Sequence, residues 1–333
     1  MITSSLPSRQ PSREVWSRER LQHERALALG NSIDATTWRN YSSALNSYLD
    51  FVKKHQFNVE PTAETLSYYT VYVSHFIKPD SVDTYLSGIC QQLEPFFPDV
   101  RQNRKAPLVR RTLDGCKRMR AVATIRKEAL TIDNLRTLIH HYSSSSDHDD
   151  LLFVAQIIIG FFALMRLGEL TFPDNKNLQN PTKVSKRTSV EASSTSFHFF
   201  LPGHKADKFF EGNKILLSNI TQNIDIFQHF ASYLNSRDHL HPFSSPLWLR
   251  KNGCIPTRSF FIERLCRHFD HNVGGQSMRA GGATSLAENG VPPSLIQAIG
   301  RWSSDTFRIY VRKNPVLIQA MLHSKSISNV NDI

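Results

Sequence analysis

The longest apolar stretch of the chain runs from Leu151 to Leu167 and contains one charged side chain, Arg166. A membrane-spanning helix needs about 20 consecutive apolar residues, so this stretch is too short to cross a bilayer. A helix that is apolar on every side must instead be surrounded by other elements in a domain core. The stretch therefore predicts a buried central helix that starts near Leu151 and delivers Arg166 at its end.

The segments around this helix predict a mainly α-helical domain with a small antiparallel β-sheet. Between residues 180 and 218 the pattern changes to alternation and turn residues, which predicts strands at Ser196–Leu201 and Lys214–Leu217. Helical periodicity and start signals predict further helices at residues 131–142, 221–234, 257–268, 277–289 and 293–300.

The first part of the chain predicts a separate, all-helical domain. Apolar residues recur every three or four positions in residues 34–54, which indicates a helix that Asp34 can cap. Further helices are predicted at 63–76, 81–93 and about 104–122. A chain of 333 residues exceeds one typical core. We therefore predict a disordered arm at 1–13, a helical domain at 14–126 and a second domain at 127–333.

Basic residues are concentrated between Arg101 and Lys127, where ten cations face a single acid, Asp114. The whole chain has a formal net charge of +11, which favours an anionic partner. A solvated helix face usually mixes both signs, so phosphate contacts explain this block better than solubility does. The predicted DNA-binding residues are Arg101, Arg104, Lys105, Arg110, Arg111, Lys117, Arg118 and Arg120.

The four cysteines lie far apart and form no C-x-x-C pair, which favours a reducing compartment and argues against a zinc site. The Ser/Pro/Arg-rich segment 1–13 lacks the apolar centre of a secretory signal. We therefore expect an intracellular protein with no metal site and no membrane partner.

A second group of informative residues lies towards the end of the chain. The segment Gly275–Thr284 contains Arg279, and it is followed by Gly300-Arg301-Trp302 and by Tyr310. The guanidinium group of arginine has planar donors that match phosphate oxygens. A phenol has a pKa of about 10 and is a poor nucleophile unless the developing negative charge is neutralised.

Together with Arg166 in the segment Ala163–Leu170, this pattern resembles the tyrosine recombinases of the phage-integrase class over about residues 127–315. That family cuts DNA with a tyrosine and holds the scissile phosphate between two arginines. The resemblance implies a two-domain DNA clamp, in which a helical core-binding domain precedes the tyrosine-recombinase catalytic domain. Within the family, the sequence is most similar to integrase-like proteins of eukaryotic mobile elements, particularly fungal ones.

The resemblance implies roles for three residues that surround the phosphate. Arg166 matches the first arginine, Arg279 the second, and Glu169, one helical turn after Arg166, the acid that positions active-site groups. Arg166 also has a simpler interpretation, as a cation near the carbonyl groups of a helix end.

The resemblance also assigns a proton donor, a ring donor and a nucleophile. Lys205 matches the lysine that protonates the leaving 5′ oxygen, although Lys208 and Lys214 compete for this role. Trp302 stands where the family has a His or Trp that donates to the phosphate, and its alternative is a core aromatic. Tyr310 matches the nucleophile.

Two departures from the family pattern bear on catalysis. Gln276 stands where the family usually has a histidine, and an amide donates a hydrogen bond but exchanges no proton near neutral pH. His268 and His271 lie too early in the chain to replace it by simple register. Tyr310 lies eight positions after Trp302, one fewer than the resemblance leads us to expect.

The leading hypothesis is a site-specific recombinase or integrase that cleaves and rejoins double-stranded DNA through a 3′-phosphotyrosyl intermediate, without a cofactor. A catalytically weakened or inactive DNA-binding protein derived from a recombinase is the alternative, because of Gln276. A type IB topoisomerase, acting as a monomer, is a third. We expect self-association as a dimer or tetramer on DNA, and a nuclear location if the source is eukaryotic.

Overall fold

The computed structural model describes residues 13–30, 32–120, 127–193, 196–203, 211–218, 224–270 and 272–302. Within these ranges the chain forms thirteen α-helices and one three-stranded antiparallel sheet, which confirms the predicted fold class. Two compact units lie within residues 1–124 and 125–333. No helix in the described ranges has the length and apolar character that crossing a membrane requires.

The first unit is helical, as predicted. The Asp34 carboxylate caps α2 by accepting a hydrogen bond from the Thr36 N–H at 2.8 Å. Tyr48 and Val52 lie in the core of this unit, whereas Trp38, at the start of the same helix, is half-exposed. The helices are α1 (Arg18–Gly30), α2 (Ala35–Lys54), α3 (Ala63–Val73), α4 (Pro79–Leu93), α5 (Val100–Lys105) and α6 (Pro107–Arg120).

Two features of this unit differ from the sequence prediction. The single helix predicted over 104–122 is wrong, because the chain breaks at Ala106 into α5 and α6. Ala106 precedes Pro107, whose ring disfavours helical dihedrals in the preceding residue. Helix α1 was not predicted, since it has no apolar stripe, and none of its residues is buried.

The second unit contains the remaining helices and the sheet. Helix α10 starts at Ile226, after its N-cap Asp225, so the start predicted at residue 221 was too early. The elements are α7 (Ile132–His141), α8 (His148–Phe162), α9 (Leu167–Leu170), β1 (Glu191–Ala192), β2 (Ser196–Leu201), β3 (Asn213–Ser218), α10 (Ile226–Leu240), α11 (Arg258–Cys266), α12 (Ser277–Glu288) and α13 (Pro293–Gly300).

Helix α8 forms the centre of this unit, as the apolar stretch predicts, and ten consecutive residues from Leu152 to Phe161 are buried. The helix does not deliver Arg166 at its end. It stops at Phe162, Leu164 adopts a left-handed conformation with φ of 50°, and Arg166 is the N-cap of the next helix, α9. Arg166 therefore starts α9, and the hydrogen bonds that its side chain and backbone N–H donate go to Glu169.

The sheet packs against α10 and has the strand order β1-β2-β3. Strand β2 occupies the predicted residues, and Phe199 pairs with Ile215 in β3. Phe197 stacks on Phe230 of α10 with ring centroids 4.5 Å apart. Lys205 and Lys208 lie outside the described residues.

Candidate active site

Two glycines let α12 lie against Leu130, just before α7, and against the end of α8. A Cβ atom on Gly281 would lie 1.9 Å from the Leu130 carbonyl oxygen, and one on Gly282 would lie 2.0 Å from the Phe161 carbonyl oxygen. Both distances are far shorter than a side chain tolerates, so only glycine permits this backbone approach. The consequence is that Arg279, near the start of α12, lies beside the link between α8 and α9.

Arg279 is held by backbone carbonyl groups. Its side chain is buried, with the residue 3% exposed, and Nη1 donates to the Leu164 oxygen at 2.7 Å. Nη2 donates to the oxygen of Gly300, the last residue of α13. The Trp302 ring covers the guanidinium group, with its centroid 4.2 Å from Cζ. These contacts fix the direction of the guanidinium group from three sides.

Arg166 and Glu169 form a close pair at the start of α9. Nη1 of Arg166 donates to Oε1 of Glu169 at 2.9 Å, and the backbone N–H of Arg166 donates to Oε2, also at 2.9 Å. The Glu169 side chain is 5% exposed, whereas that of Arg166 is 20% exposed. Arg166 therefore keeps a solvent-facing part while its orientation is set by a buried carboxylate.

Arg301 is a member of this cluster that the sequence reasoning missed. Its Nη2 donates to Oε2 of Glu169 at 3.0 Å, and its side chain is 8% exposed. Burial lowers the pKa of Arg301, and the Glu169 carboxylate acts in the opposite direction. One sequence signal points to Arg301. Tyr310 lies nine positions after Arg301, which is the interval expected between the ring donor and the nucleophile. Trp302 lies only eight positions before Tyr310.

Trp302 is part of an apolar cluster as well as a neighbour of Arg279. It packs against a group of buried residues that includes Leu164, Ala283 and Ile296. Gly300 leaves the space for its ring, since a Cβ atom there would lie 2.1 Å from the indole. The structure thus gives Trp302 the contacts of a core aromatic together with a stacking contact on Arg279.

Gln276 lies at the N-cap of α12 with an exposed side chain that makes no capping hydrogen bond. It follows Gly275, where a Cβ atom would lie 2.5 Å from Leu167 of α9. His268 is engaged elsewhere, because its Nε2 lies 2.8 Å from the Tyr142 hydroxyl. His271 lies outside the described residues.

No protein-family model matches this chain, and no curated protein matches it by sequence. Solved structures do match. The XerH site-specific recombinase bound to palindromic difH has a TM-score of 0.59 at 16% identity, covering 87% of this chain and 79% of XerH. The lambda integrase dimer bound to a COC′ core site has a TM-score of 0.55 at 12% identity, covering 88% and 94%. The Tn1549 transposon integrase with transposon right end DNA has a TM-score of 0.51 at 14% identity, covering 88% and 93%.

The chain has the tyrosine-recombinase fold. Within the second unit, the structure brings four of the expected residues into one connected cluster: Arg166, Glu169, Arg279 and Trp302. Arg301 joins them, since its Nη2 lies 3.0 Å from Glu169 and 3.4 Å from the Leu164 oxygen that Arg279 also contacts. Lys205 and Tyr310 lie outside the described residues.

The predicted DNA-binding cations of the helical unit differ in their contacts. One set is paired: Arg101 with Glu94 at 2.6 Å, Arg104 with Asp83 at 2.9 Å and Lys117 with Asp80 at 3.8 Å. Arg120 donates to Ser74. The expectation that one acid opposes the whole block is therefore wrong, because acids from α4 and the turn after it fold back on it. The other set has no ion pair within the described ranges, and its members are Lys105, Arg110, Arg111 and Arg118.

Proposed function

We propose that this chain is a DNA recombinase or integrase that breaks and rejoins double-stranded DNA through Tyr310. The observation that carries the proposal is the joint position of the Arg166–Glu169 pair and Arg279, which lie more than 100 residues apart in sequence and are linked through Arg301, a donor to both Glu169 and the Leu164 carbonyl that Arg279 contacts. The fold adds support, since the XerH, lambda and Tn1549 proteins were solved on DNA.

In the proposed reaction, the Tyr310 oxygen attacks phosphorus and the bond from phosphorus to the 5′ oxygen breaks. A 3′-phosphotyrosyl bond and a free 5′ hydroxyl result, and the reverse attack by a 5′ hydroxyl rejoins the strand without an energy cofactor. Lys205 supplies the proton to the leaving oxygen. Arg166 and Arg279 neutralise the charge that develops on the phosphate oxygens.

The helical unit supplies the charge that attracts the duplex. Arg111 and Arg118 are seven residues apart in α6, close to two full turns, so they share one side of the helix. That side faces away from the buried residues Val109, Leu113 and Cys116. We infer that these arginines contact the DNA backbone. We also propose that two or four copies of the chain assemble on one DNA site.

We also propose that the protein derives from a mobile element and that it acts in the nucleus if its source is eukaryotic. This proposal depends on the similarity of the sequence around Gly281-Gly282 and Gly300-Arg301-Trp302 to fungal integrase-like proteins.

A second candidate function is DNA binding without efficient cleavage. It is favoured by Gln276, whose exposed amide at the start of α12 replaces a group capable of proton transfer. General acid–base assistance contributes about 10²–10⁴ in rate, so its loss weakens cleavage without touching the arginines.

The test begins with selection of a binding site from random DNA, followed by a nicked suicide substrate built on that site. We expect a covalent protein–DNA adduct from the native chain and none from Tyr310→Phe, at nearly equal DNA affinity. Adduct formation by Tyr310→Phe would contradict the nucleophile assignment. A bound site with no adduct from either protein would favour the binding-only function, and relaxation of supercoiled plasmid by the monomer would favour a topoisomerase.

A further inference from the structure

The carboxylate of Glu169 is shared between two arginines. Oε1 accepts from Arg166 Nη1 at 2.9 Å, and Oε2 accepts from Arg301 Nη2 at 3.0 Å. The backbone N–H of Arg166 also donates to Oε2 at 2.9 Å. Because Glu169 is buried, its position follows from these three contacts, and any change at Arg301 is transmitted to the group that orients Arg166.

Arg301 occupies a position that ordinarily suits glycine. It is the C-cap of α13 and adopts a left-handed conformation with φ of 53°. Glycine adopts this conformation without steric cost, and it is the usual residue at such helix ends. A large side chain at this position indicates a function for the guanidinium group itself.

The guanidinium group of Arg301 joins the ends of two helices. It donates to the Ile299 oxygen of α13 at 3.1 Å and to the Ala163 oxygen after α8 at 3.4 Å. Its Nε is buried and has no acceptor within the described residues. Arginine stays charged in proteins, so this side chain keeps a cation in a site that burial disfavours.

The charges of this group do not balance. Two guanidinium groups, Arg166 and Arg301, share one carboxylate, Glu169, so the trio retains a single positive charge. Buried charges are stable when they are paired, and a phosphodiester carries one negative charge. Without Arg301, the Glu169 carboxylate would neutralise Arg166 completely and weaken its attraction for an anion.

We propose that Arg301 is a positioning residue: it holds Glu169 and leaves the charge of Arg166 available to one DNA phosphate. The proposal depends on the proposed function, because it assumes a phosphodiester as the ligand of Arg166. It does not depend on Tyr310 or on cleavage, so its test can be made on binding alone.

The test uses the full chain and a duplex selected from random DNA, in which a neutral methylphosphonate replaces the phosphate at one step after another. At the step that contacts Arg166, we expect the native chain to prefer phosphate by about 10- to 100-fold, the range for charge-assisted hydrogen bonds. Arg166→Ala should remove this preference.

Arg301→Gly keeps the left-handed turn and removes the cation, so it should reduce the preference about as far as Arg166→Ala does. Adding it to Arg166→Ala should cause no further loss, since both changes act on one contact. Arg301→Lys should recover part of the preference. The control is Arg237→Met, which removes a fully buried arginine whose partners are Asp238 and the carbonyl groups of His241, Ser244 and Pro246.

Three outcomes would overturn the proposal: a folded Arg301→Gly protein that keeps the native preference, an equal loss in Arg237→Met at matched stability, or no phosphate preference at any step. Failure of the proposed function gives a different result. There, the native chain would form no adduct through Tyr310, while the phosphate preference and its dependence on Arg301 would persist.

Discussion

The two units of this protein use arginine in opposite ways. In the helical unit, Arg110, Arg111 and Arg118 are exposed and make no ion pair within the described ranges. In the second unit, Arg279 and Arg301 are almost entirely buried and donate to backbone carbonyl groups. Exposed cations attract a polyanion over long distances and are weakened by salt, whereas buried ones act at contact distance and are screened little. The difference predicts that binding and phosphate recognition respond to separate mutations.

The largest effect should come from Arg166→Ala. Loss of one donor at a comparable oxyanion site reduces the rate by about 10²–10³. We therefore expect adduct formation on saturating nicked substrate to fall by this factor, whereas DNA affinity should fall less, by no more than the roughly 10- to 100-fold expected for the single phosphate contact of Arg166. An equal fall in affinity would show that the two units do not divide the work as proposed.

A substitution at the helix contact should come next in size. Gly282→Ala places a methyl group against the Phe161 carbonyl, and overpacking of this kind costs about 1–3 kcal/mol. Urea unfolding should show the loss. Gly168→Ala, in α9 with open space around it, is the matched control and should be neutral or slightly stabilising. Equal losses in both variants would contradict the close-contact explanation.

A histidine at position 276 would restore a side chain that can transfer a proton, and it tests whether the second unit lacks only this group. Gln276→His should raise adduct formation at least about tenfold, toward the 10²–10⁴ that acid–base assistance contributes. DNA affinity should stay the same, because Gln276 is a single exposed amide. A folded variant with no gain in adduct would indicate that residue 276 does not face the reacting phosphate.

The exposed cations should have a smaller effect, seen in salt dependence. Changing Arg110, Arg111 and Arg118 to glutamine should flatten the plot of log affinity against log salt by about 0.9 for each phosphate that the protein no longer neutralises. The matched control replaces Arg101, Arg104 and Lys117, which are paired with acids. We expect this second set to change the slope less, and the reverse order would place the DNA surface on the paired residues.

The smallest effect concerns pH and the second unit alone. Burial lowers the pKa of His148 and of His268, so the native state favours their neutral forms. The unfolded chain then binds more protons just below its histidine pKa of about 6.5, and stability should fall as pH drops through that range. Urea unfolding at pH 7.5 and 5.5 measures the fall. His148→Gln should reduce it, and an unchanged fall would exclude His148 as a cause.

Local signals explain which parts of the fold were predictable. Alternation defines β2 at its observed residues, and Pro293 and Gly300 mark the ends of α13. Pro107 is an equally strong signal for the break at Ala106, but the helix predicted over 104–122 runs through it. The left-handed turn at Leu164, which separates Arg166 from α8, has no signal in the sequence because leucine rarely adopts it.

The candidate site was predictable in its residues but not in its connections. Arg166, Glu169 and Arg279 were named from their motifs, and the structure pairs Arg166 with Glu169 and places Arg279 on the Leu164 carbonyl, while their catalytic roles stay predictions. The contact between Arg301 and Glu169 joins residues that are 132 positions apart, so no local sequence pattern predicts it. Sequence reasoning therefore favoured Trp302, the more conspicuous neighbour, over the arginine beside it.

The carbonyl group of Leu164 accepts hydrogen bonds from Arg279 and, at longer range, from Arg301. A main-chain acceptor persists whichever side chain residue 164 carries, provided the chain keeps its path. The hydrogen bond that holds Arg279 thus depends on the path of the backbone, and substitutions of the surrounding side chains affect it little. Proteins built on such a backbone contact can diverge until little sequence likeness survives, while the guanidinium group keeps its place.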